Sequence, residues 1–501
     1  MKRIFSHPLA ALIAGLGLRL YFVLKFPANS GDTVLYEQIA TNWLKHHVYA
    51  MDVGGVITPV DLRMPGYPAF LAIIYALTGR TEADARLWVM LGQVVVDMLG
   101  CVFVVWLAGA LLVMGDQHAR QRPVLKTSFW LAMLCPFTAN YTAVPLTEPL
   151  AVALTAVGLV LLVGLFASIR DLLFPVKKRP WEPRNDLRHW AAPLGFVVGL
   201  GTLFRPETPL LLLAAWIGTA FPLLRRGKSL VWLRIVAFSG LACVVPLLPW
   251  AARNAVTLHE IQFLAPKNSN LPGELVPSGF MAWEKTWLFR MRDCYLAPWK
   301  LNGEAIEAEQ LPARAFDSTE EKERVAMILE AYNEELTLTK DEDAAFAQLA
   351  RERTARHPLR TYVLLPVLRA VTLWFAPRIE LLPVSGTVFP LRQAWEDDKV
   401  DQSVTIGLFL INIFYLGVGV YGAIKLWRWS TSSRGAVLLI VLFIALRTAF
   451  LTTLETPEPR YVLECFPAVI ALGAVGLAGR RYEEHESEVR VEGYRSSKGS
   501  G

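Results

Sequence analysis

The chain carries blocks of apolar residues as long as a bilayer is thick, and this limits the folds open to it more than any other feature. About 20 residues of helix cross ~30 Å of hydrocarbon, and a segment in lipid must satisfy its own backbone groups. Such blocks fall near 8–27, 84–112, 127–142, 145–169, 189–204, 206–224, 231–250, 403–427, 435–453 and 461–479. Composition agrees: 54% of the 501 residues are hydrophobic and 19% are charged, against roughly 25% charged in soluble proteins. The mean hydropathy is +0.37. Disorder, collagen, coiled coil and a small disulfide scaffold are excluded. The expected fold class is an all-α polytopic membrane protein with about ten transmembrane helices and both ends on one side. The first block follows Lys2 and Arg3, as a signal peptide would, but Arg19 interrupts it and no small-residue cleavage site is evident. It is read as a helix.

A net charge of +6 raises the question of nucleic acid. The Lys and Arg residues cluster in short loops between apolar blocks instead of forming a continuous basic face, so topology accounts for them and no nucleic-acid partner is expected. Twenty basic residues, from Lys2 and Arg3 through Arg120, Lys177 and Arg225 to Arg481, fall in the segments placed inside, against four acids there. The positive-inside rule then puts both termini in the cytoplasm. The same tally keeps 358–377 from being an eleventh span, since crossing there would put the basic 425–434 loop outside. It is expected along the outer membrane surface.

The organisation expected is a transmembrane core, 1–250, with a first external loop, 28–83; an external region, 251–402, with a juxtamembrane helix; C-terminal spans, 403–480; and a polar cytoplasmic tail, 481–501. In the first loop Leu35, Ile39 and Trp43, with Tyr36, Ala40 and Leu44, repeat at helical spacing and predict an amphipathic helix lying flat at the interface. The second region has thirteen acids against four bases over 301–350, and two capping-box patterns, Ser318 with Glu321 and Thr339 with Glu342. It reads as a small, water-exposed helical region. Four of the five cysteines lie in or beside apolar blocks and Cys294 stands alone in the long loop, so neither a disulfide framework nor a metal-type spacing is present. His46, His47 and His259 read as interfacial or loop residues.

Candidate chemistry rests on charges near the outer face. Asp32 immediately precedes the amphipathic helix, with Tyr36 one turn on. It is either a helix N-cap or a carboxylate held just outside the bilayer, where it can take a proton from a hydroxyl or amine nucleophile. Thr147-Glu148-Pro149, Arg205-Pro206-Glu207 and Thr456-Pro457-Glu458-Pro459-Arg460 each precede an inward-running block. Proline suits a first helical turn and an acid there is stabilised by the helix dipole by ~0.3–1 kcal/mol, which is the plain account of Glu148, Glu207 and Glu458. Helix N-termini beside Arg205 and Arg460 also make an anion site, to which Arg63 and Arg253 add two cations. Together these arginines suit a phosphate or diphosphate. Arg19 and Asp97 fall near the middles of the first two blocks, where a lone charge costs ~2.5–3.5 kcal/mol, so pairing is expected.

In chain order, Asp32 and Tyr36, Arg63-Met64-Pro65-Gly66-Tyr67-Pro68, Leu146-Thr147-Glu148-Pro149, Phe204-Arg205-Pro206-Glu207, Pro249-Trp250-Ala251-Ala252-Arg253-Asn254 and Glu458-Pro459-Arg460-Tyr461 resemble the GT-C membrane glycosyltransferases. The likeness is to the family 39-like branch, with protein O-mannosyltransferases and aminoarabinose transferases, and extends to about residue 480. It implies a GT-C-like bundle, a polyprenyl-phosphate sugar donor and inverting transfer to a membrane-associated lipid, glycan or protein acceptor. Transfer would occur on the external face of a bacterial inner (plasma) membrane. Asp32 takes the place of the family's general base, Glu148 is the first choice for a second carboxylate, and Tyr36, Arg63, Arg205, Glu207, Arg253, Glu458 and Arg460 would bind substrate. The mannosyltransferases often show an Asp-Glu pair where this chain has Asp32-Thr33, which counts against a protein acceptor. No cofactor is expected; some relatives use a divalent metal, but no dedicated cluster for one is present. The competing classes are a secondary transporter or lipid-linked sugar flippase, an oligosaccharide polymerase or ligase, and a membrane scaffold.

Overall fold

The computed structural model describes residues 8–114, 121–174, 187–266, 271, 274–386 and 391–478. Residues 481–501 and many of the basic residues used for sidedness, Lys2, Arg3, Arg120, Lys177 and Arg481 among them, lie outside the described residues. The chain is an all-α polytopic membrane protein with one small β-hairpin. Two compact units are present, one of 1–265, 379–444 and 463–501, the other of 266–378 and 445–462.

Seven described helices are long and apolar enough to cross a bilayer: Pro8–Lys25, Glu82–Met114, Glu148–Leu173, Ser229–Thr257, Lys399–Trp429, Thr431–Leu451 and Pro459–Ala478. The other three of the ten expected blocks are shorter. The 127–142 block is divided into α5, Gln121–Met133, and a single further turn, α6, Pro136–Asn140. Pro136 has no N–H to continue the ladder and clashes with the preceding turn. The 189–204 and 206–224 blocks are α8, Arg188–Thr202, and α9, Leu210–Leu224, of 15 residues each. At 1.5 Å per residue each covers only about 22 Å, because Pro206 and Pro209 lie between them.

In the first unit, α1 (Pro8–Lys25), α4 (Arg86–Met114), α5 and α7 (Glu148–Leu173) pack together. Arg19 of α1 is fully buried and pairs with Asp97 of α4 at 2.5 Å. It also donates to the carbonyls of Gly15 and Met133 at 2.9 and 2.8 Å. A buried guanidinium survives in a bundle when its donors are used, and here most are. Gly195 of α8 lies directly on the Ser239 carbonyl of α10 (Ser229–Val244), where a Cβ would overlap the backbone.

Between α1 and α4 the chain builds α2, Gly31–His46, a hairpin of β1, Ala50–Val53, and β2, Val56–Pro59, and α3, Gly66–Thr78. The hairpin is an addition to the one helix expected in this loop. Its turn is Gly54-Gly55, both with positive φ, and Asp52 Oδ1 accepts the Gly55 N–H at 2.7 Å. Two residues that tolerate the left-handed region are what a tight hairpin turn requires. In the α2 helix Tyr36, Ile39 and Ala40 of the expected apolar stripe are buried. Its buried residues also include Thr33, Glu37, Thr41 and Asn42, and Arg86 grips Glu37 with two 2.7 Å hydrogen bonds. This helix is fastened to protein through polar groups.

The second unit is built on α12 (Ser278–Glu284), α13 (Thr319–Glu335), α14 (Lys340–Arg356) and α15 (Leu365–Phe375). Its core is Phe280, Trp283, Trp287, Cys294, Leu329 and Phe346 with their neighbours. Ser318 Oγ caps α13 by accepting the Glu321 N–H at 3.2 Å. Thr339 and Glu342 form the reciprocal box on α14. Glu321 instead serves Arg353 and Arg356. Residues 358–375 form one helical run with a π-helical turn at Arg360–Leu364. All five cysteines are buried and unbridged.

Candidate active site

The N-cap of α2 is Ser30, and Asp32 stands in the first helical turn. The capping role considered for Asp32 therefore belongs to Ser30, two residues earlier: Thr33 N donates to the Ser30 carbonyl at 3.0 Å, and Ser30 N to Thr33 Oγ1 at 3.1 Å. Thr33 is a buried anchor whose hydroxyl donates to the Pro145 carbonyl at 3.1 Å.

Arg63 Nη2 donates to Asp32 Oδ1 at 2.7 Å. The two side chains keep 20% and 30% of their exposure, so the pair stays reachable from solvent. Burial works to lower the Arg63 pKa, but Asp32 outweighs it and the guanidinium ends above its ordinary value. Two contacts set the Arg63 backbone. Tyr49 Oη donates to the Arg63 carbonyl at 2.8 Å. Three residues on, Gly66 N donates to the Leu203 carbonyl at 2.8 Å, an approach so close that a Cβ on Gly66 would strike that carbonyl. This accounts for the glycine of the Arg63–Pro68 run.

Tyr36, one turn after Asp32, is buried. Burial first, then Asp32, pushes its hydroxyl up to about 12, with Glu148 acting in the same sense and Arg63 and Arg205 against it. Charges from four stretches of sequence thus converge on one phenol. The Tyr36 ring meets Tyr67 edge-on at 5.0 Å. Tyr67 Oη donates to Gln93 Oε1 at 2.6 Å, and Gln93 Nε2 to the Val144 carbonyl at 2.8 Å. Tyr67 belongs to the Arg63–Pro68 run, whereas Gln93 gives no sequence signal because it looks like an ordinary residue of an apolar helix.

Glu148 occupies the first turn of α7 after Thr147, where the helix dipole favours an acid. Arg205 Nη2 donates to Glu148 Oε1 at 2.6 Å, with Glu207 at 3.9 Å and Glu464 at 3.8 Å from the same guanidinium. Glu464 Oε2 also accepts from Thr155 Oγ1 at 3.2 Å. Three carboxylates, two of them buried, lie within 4 Å of one arginine. Glu207 is not a helix-start acid, since α9 begins only at Leu210. Glu464 was missed; its one signal is a glutamate inside an otherwise apolar block.

Arg253 of α11 (Leu248–Thr257) donates to three oxygens: the Val60 carbonyl at 2.9 Å, Asn254 Oδ1 at 2.8 Å and the Tyr49 carbonyl at 2.5 Å. Beside it lies a cavity of about 390 Å³ walled by Trp43, Tyr49, Gly66, Trp250 and Arg253 among others. Glu458 and Arg460 belong to the second unit and pair with each other at 2.6 Å, and Tyr461 Oη donates to Glu458 at 2.5 Å. Of the expected residues, the structure gathers Asp32, Tyr36, Arg63, Glu148, Arg205 and Glu207 within the first unit, and links Arg253 to them through Tyr49. Among the described residues, no group of three His, Cys, Asp or Glu side chains is arranged to hold a metal ion.

No family model matches the chain, and no curated protein matches it. Among solved structures it is similar to the crystal structure of ArnT from Cupriavidus metallidurans in the apo state, at 14% identity and a TM-score of 0.36, over 93% of this chain and 77% of that one. A likeness of that size carries no argument, and the functional reading stands on the residues of the site.

Proposed function

We propose that the chain is an integral membrane glycosyltransferase that moves a sugar from a polyprenyl-phosphate donor to a membrane-associated acceptor on the external face, with inversion at the anomeric carbon. The observation that carries the reading is the pairing of Asp32 with Arg63 and of Glu148 with Arg205, charges from four stretches of the chain that start or end at the edges of apolar helices. The order of short motifs resembling GT-C enzymes supports it.

In this mechanism Arg63 is the phosphate ligand. A carboxylate held by a guanidinium is a weak base, so Arg63 must pass its hydrogen bond from Asp32 to the donor phosphate as the donor enters. That exchange frees Asp32 as it neutralises the leaving group. The acceptor oxygen or nitrogen then attacks the anomeric carbon and its proton goes to Asp32. The bond from that carbon to the phosphate oxygen breaks, and the electron pair leaves on the polyprenyl phosphate beside Arg63. Tyr36 keeps its proton throughout and serves as a hydrogen-bond donor. Arg205, already shared by three carboxylates, fixes Glu148 and the floor of the site.

The test is transfer from labelled polyprenyl-phosphate sugars to candidate acceptors by purified protein, with Asp32→Asn as the control. The reading expects transfer by the wild type and near-complete loss in a folded variant. Unchanged turnover in the variant would remove Asp32 from the mechanism.

A further inference from the structure

The arginine of the Pro249–Asn254 run does not present a free guanidinium. Its Nη1 holds the Val60 carbonyl and Asn254 Oδ1, and its Nη2 holds the Tyr49 carbonyl. Tyr49 and Val60 flank the hairpin, one just before β1 and the other just after β2, and Val60 N closes the loop on the Tyr49 carbonyl at 3.2 Å. A single planar fork therefore clasps both ends of the hairpin. A lysine has no second arm with which to do this. Asn254 is tied in turn, donating to the Gln262 carbonyl at 3.2 Å, while Gln262 Nε2 donates to Asp61 Oδ2 at 3.0 Å.

The clasp leads into the candidate site through one side chain. The Tyr49 ring is buried between Trp43 and Trp250, edge-on to each at 5.3 and 5.0 Å. Aromatic faces on two sides leave the ring little freedom. Its hydroxyl ends 2.8 Å from the Arg63 carbonyl. Burial holds that hydroxyl well above its ordinary pKa, so it remains a donor across any working pH. From Arg63 the path ends at Asp32, 2.7 Å away.

We propose that Tyr49 is a positioning residue for the Arg63–Asp32 pair and that Arg253 is the latch that sets Tyr49, acting on the reaction through the hairpin instead of by contact with the donor phosphate. The proposal rests on the transfer reading only for its kinetic arm; the latch itself is a statement about how residues 49–63 are held.

The variants are Tyr49→Phe, Arg253→Gln and the double variant, in full-length protein in detergent. Hydrogen–deuterium exchange across 47–65 tests the latch without reference to activity. Arg253→Gln should raise exchange at both ends of the hairpin and through residue 63, and Tyr49→Phe only beyond residue 60. Unchanged exchange in this segment in both variants overturns the proposal. In the transfer assay each single variant should lower kcat/KM about tenfold, as expected for a displaced catalytic pair, with donor KM changing to the same extent in both. The double variant should be no worse than the poorer single one, because both act along one path. Multiplying losses, or a donor KM that rises with Arg253→Gln alone, would make Arg253 a direct ligand and overturn the latch. Absence of transfer in the wild type would sink the proposed function and leave the exchange result to decide the latch.

Discussion

Asp32 and Arg63, separated by 31 residues, meet at 2.7 Å with both side chains still partly open to solvent. Their geometry separates a structural role from a chemical one. Surface-accessible ion pairs contribute ~0–1 kcal/mol, so breaking this one should cost little stability. Arg63→Gln is expected to leave the thermal unfolding midpoint within about 2 °C, to lower kcat/KM for transfer by about 10²-fold and to raise donor KM. A variant with a depressed midpoint and an unchanged kcat/KM would assign the pair to folding alone.

The Arg205 cluster should behave in the opposite way. Glu148, Glu207 and Glu464 share this guanidinium while being at least nine-tenths buried. Removing a buried charge's partner is destabilising by about 3–5 kcal/mol, so Arg205→Gln is expected to unfold at markedly lower temperature in detergent. Adding Glu464→Gln removes one of the stranded acids and should restore part of the loss. If the double variant is no more stable than Arg205→Gln, Glu464 does not belong to the electrostatic group.

Apolar block length was enough to read seven spans from the sequence, because hydropathy over about 20 residues is a local property. Helix interruption was harder to read: Pro136 and the Pro206–Pro209 segment divide blocks that composition leaves continuous. The hairpin announces itself only in Gly54-Gly55, a two-residue signal between longer helical stretches. At the site, Asp32, Arg63, Glu148 and Arg205 stood out as charges at block edges. Glu37, Gln93 and Glu464 did not, since their meaning comes from partners 49, 51 and 309 residues away. The roles of Arg253 and Thr33 were hidden for a related reason: both bond to backbone carbonyls, which no side-chain pattern records.

In the second unit, Glu284 is buried and its Oε1 accepts no hydrogen bond among the described residues. Burial, with Glu455 adding to it, pushes its carboxyl well above the usual range. Glu455 itself pairs with Lys285 at 2.7 Å. A folded-state pKa above the unfolded value stabilises the fold below about pH 4.3, where the carboxyl is protonated in both states, and that stability is lost as pH rises. Glu284→Gln keeps the neutral form at every pH. It should therefore raise the unfolding midpoint at pH 7–8, by roughly 1–3 kcal/mol in stability, and change little near pH 4. Equal effects at the two pH values would mean that Glu284 is not held protonated.

The Arg19–Asp97 pair lies within helices that cross the bilayer, where intramembrane charge raises the question of transport or proton relay. Its hydrogen bonds argue for architecture. Besides Asp97, the guanidinium reaches the Gly15 and Met133 carbonyls and Cys101 Sγ, so one side chain ties α1 to α4 and to the end of α5. A relay needs a group that can release its charge, whereas a tie needs only matched partners. Asp97→Leu alone strands a buried cation and should cost about 3–5 kcal/mol, and Arg19→Met with Asp97→Leu should recover most of it, since apolar replacement of a whole buried pair is often neutral. Transfer by the double variant should stay within about twofold of wild type, because the hydrogen bonds of Arg19 reach no residue of the Asp32 site. Recovery of stability without recovery of transfer would give this pair a part in the chemistry.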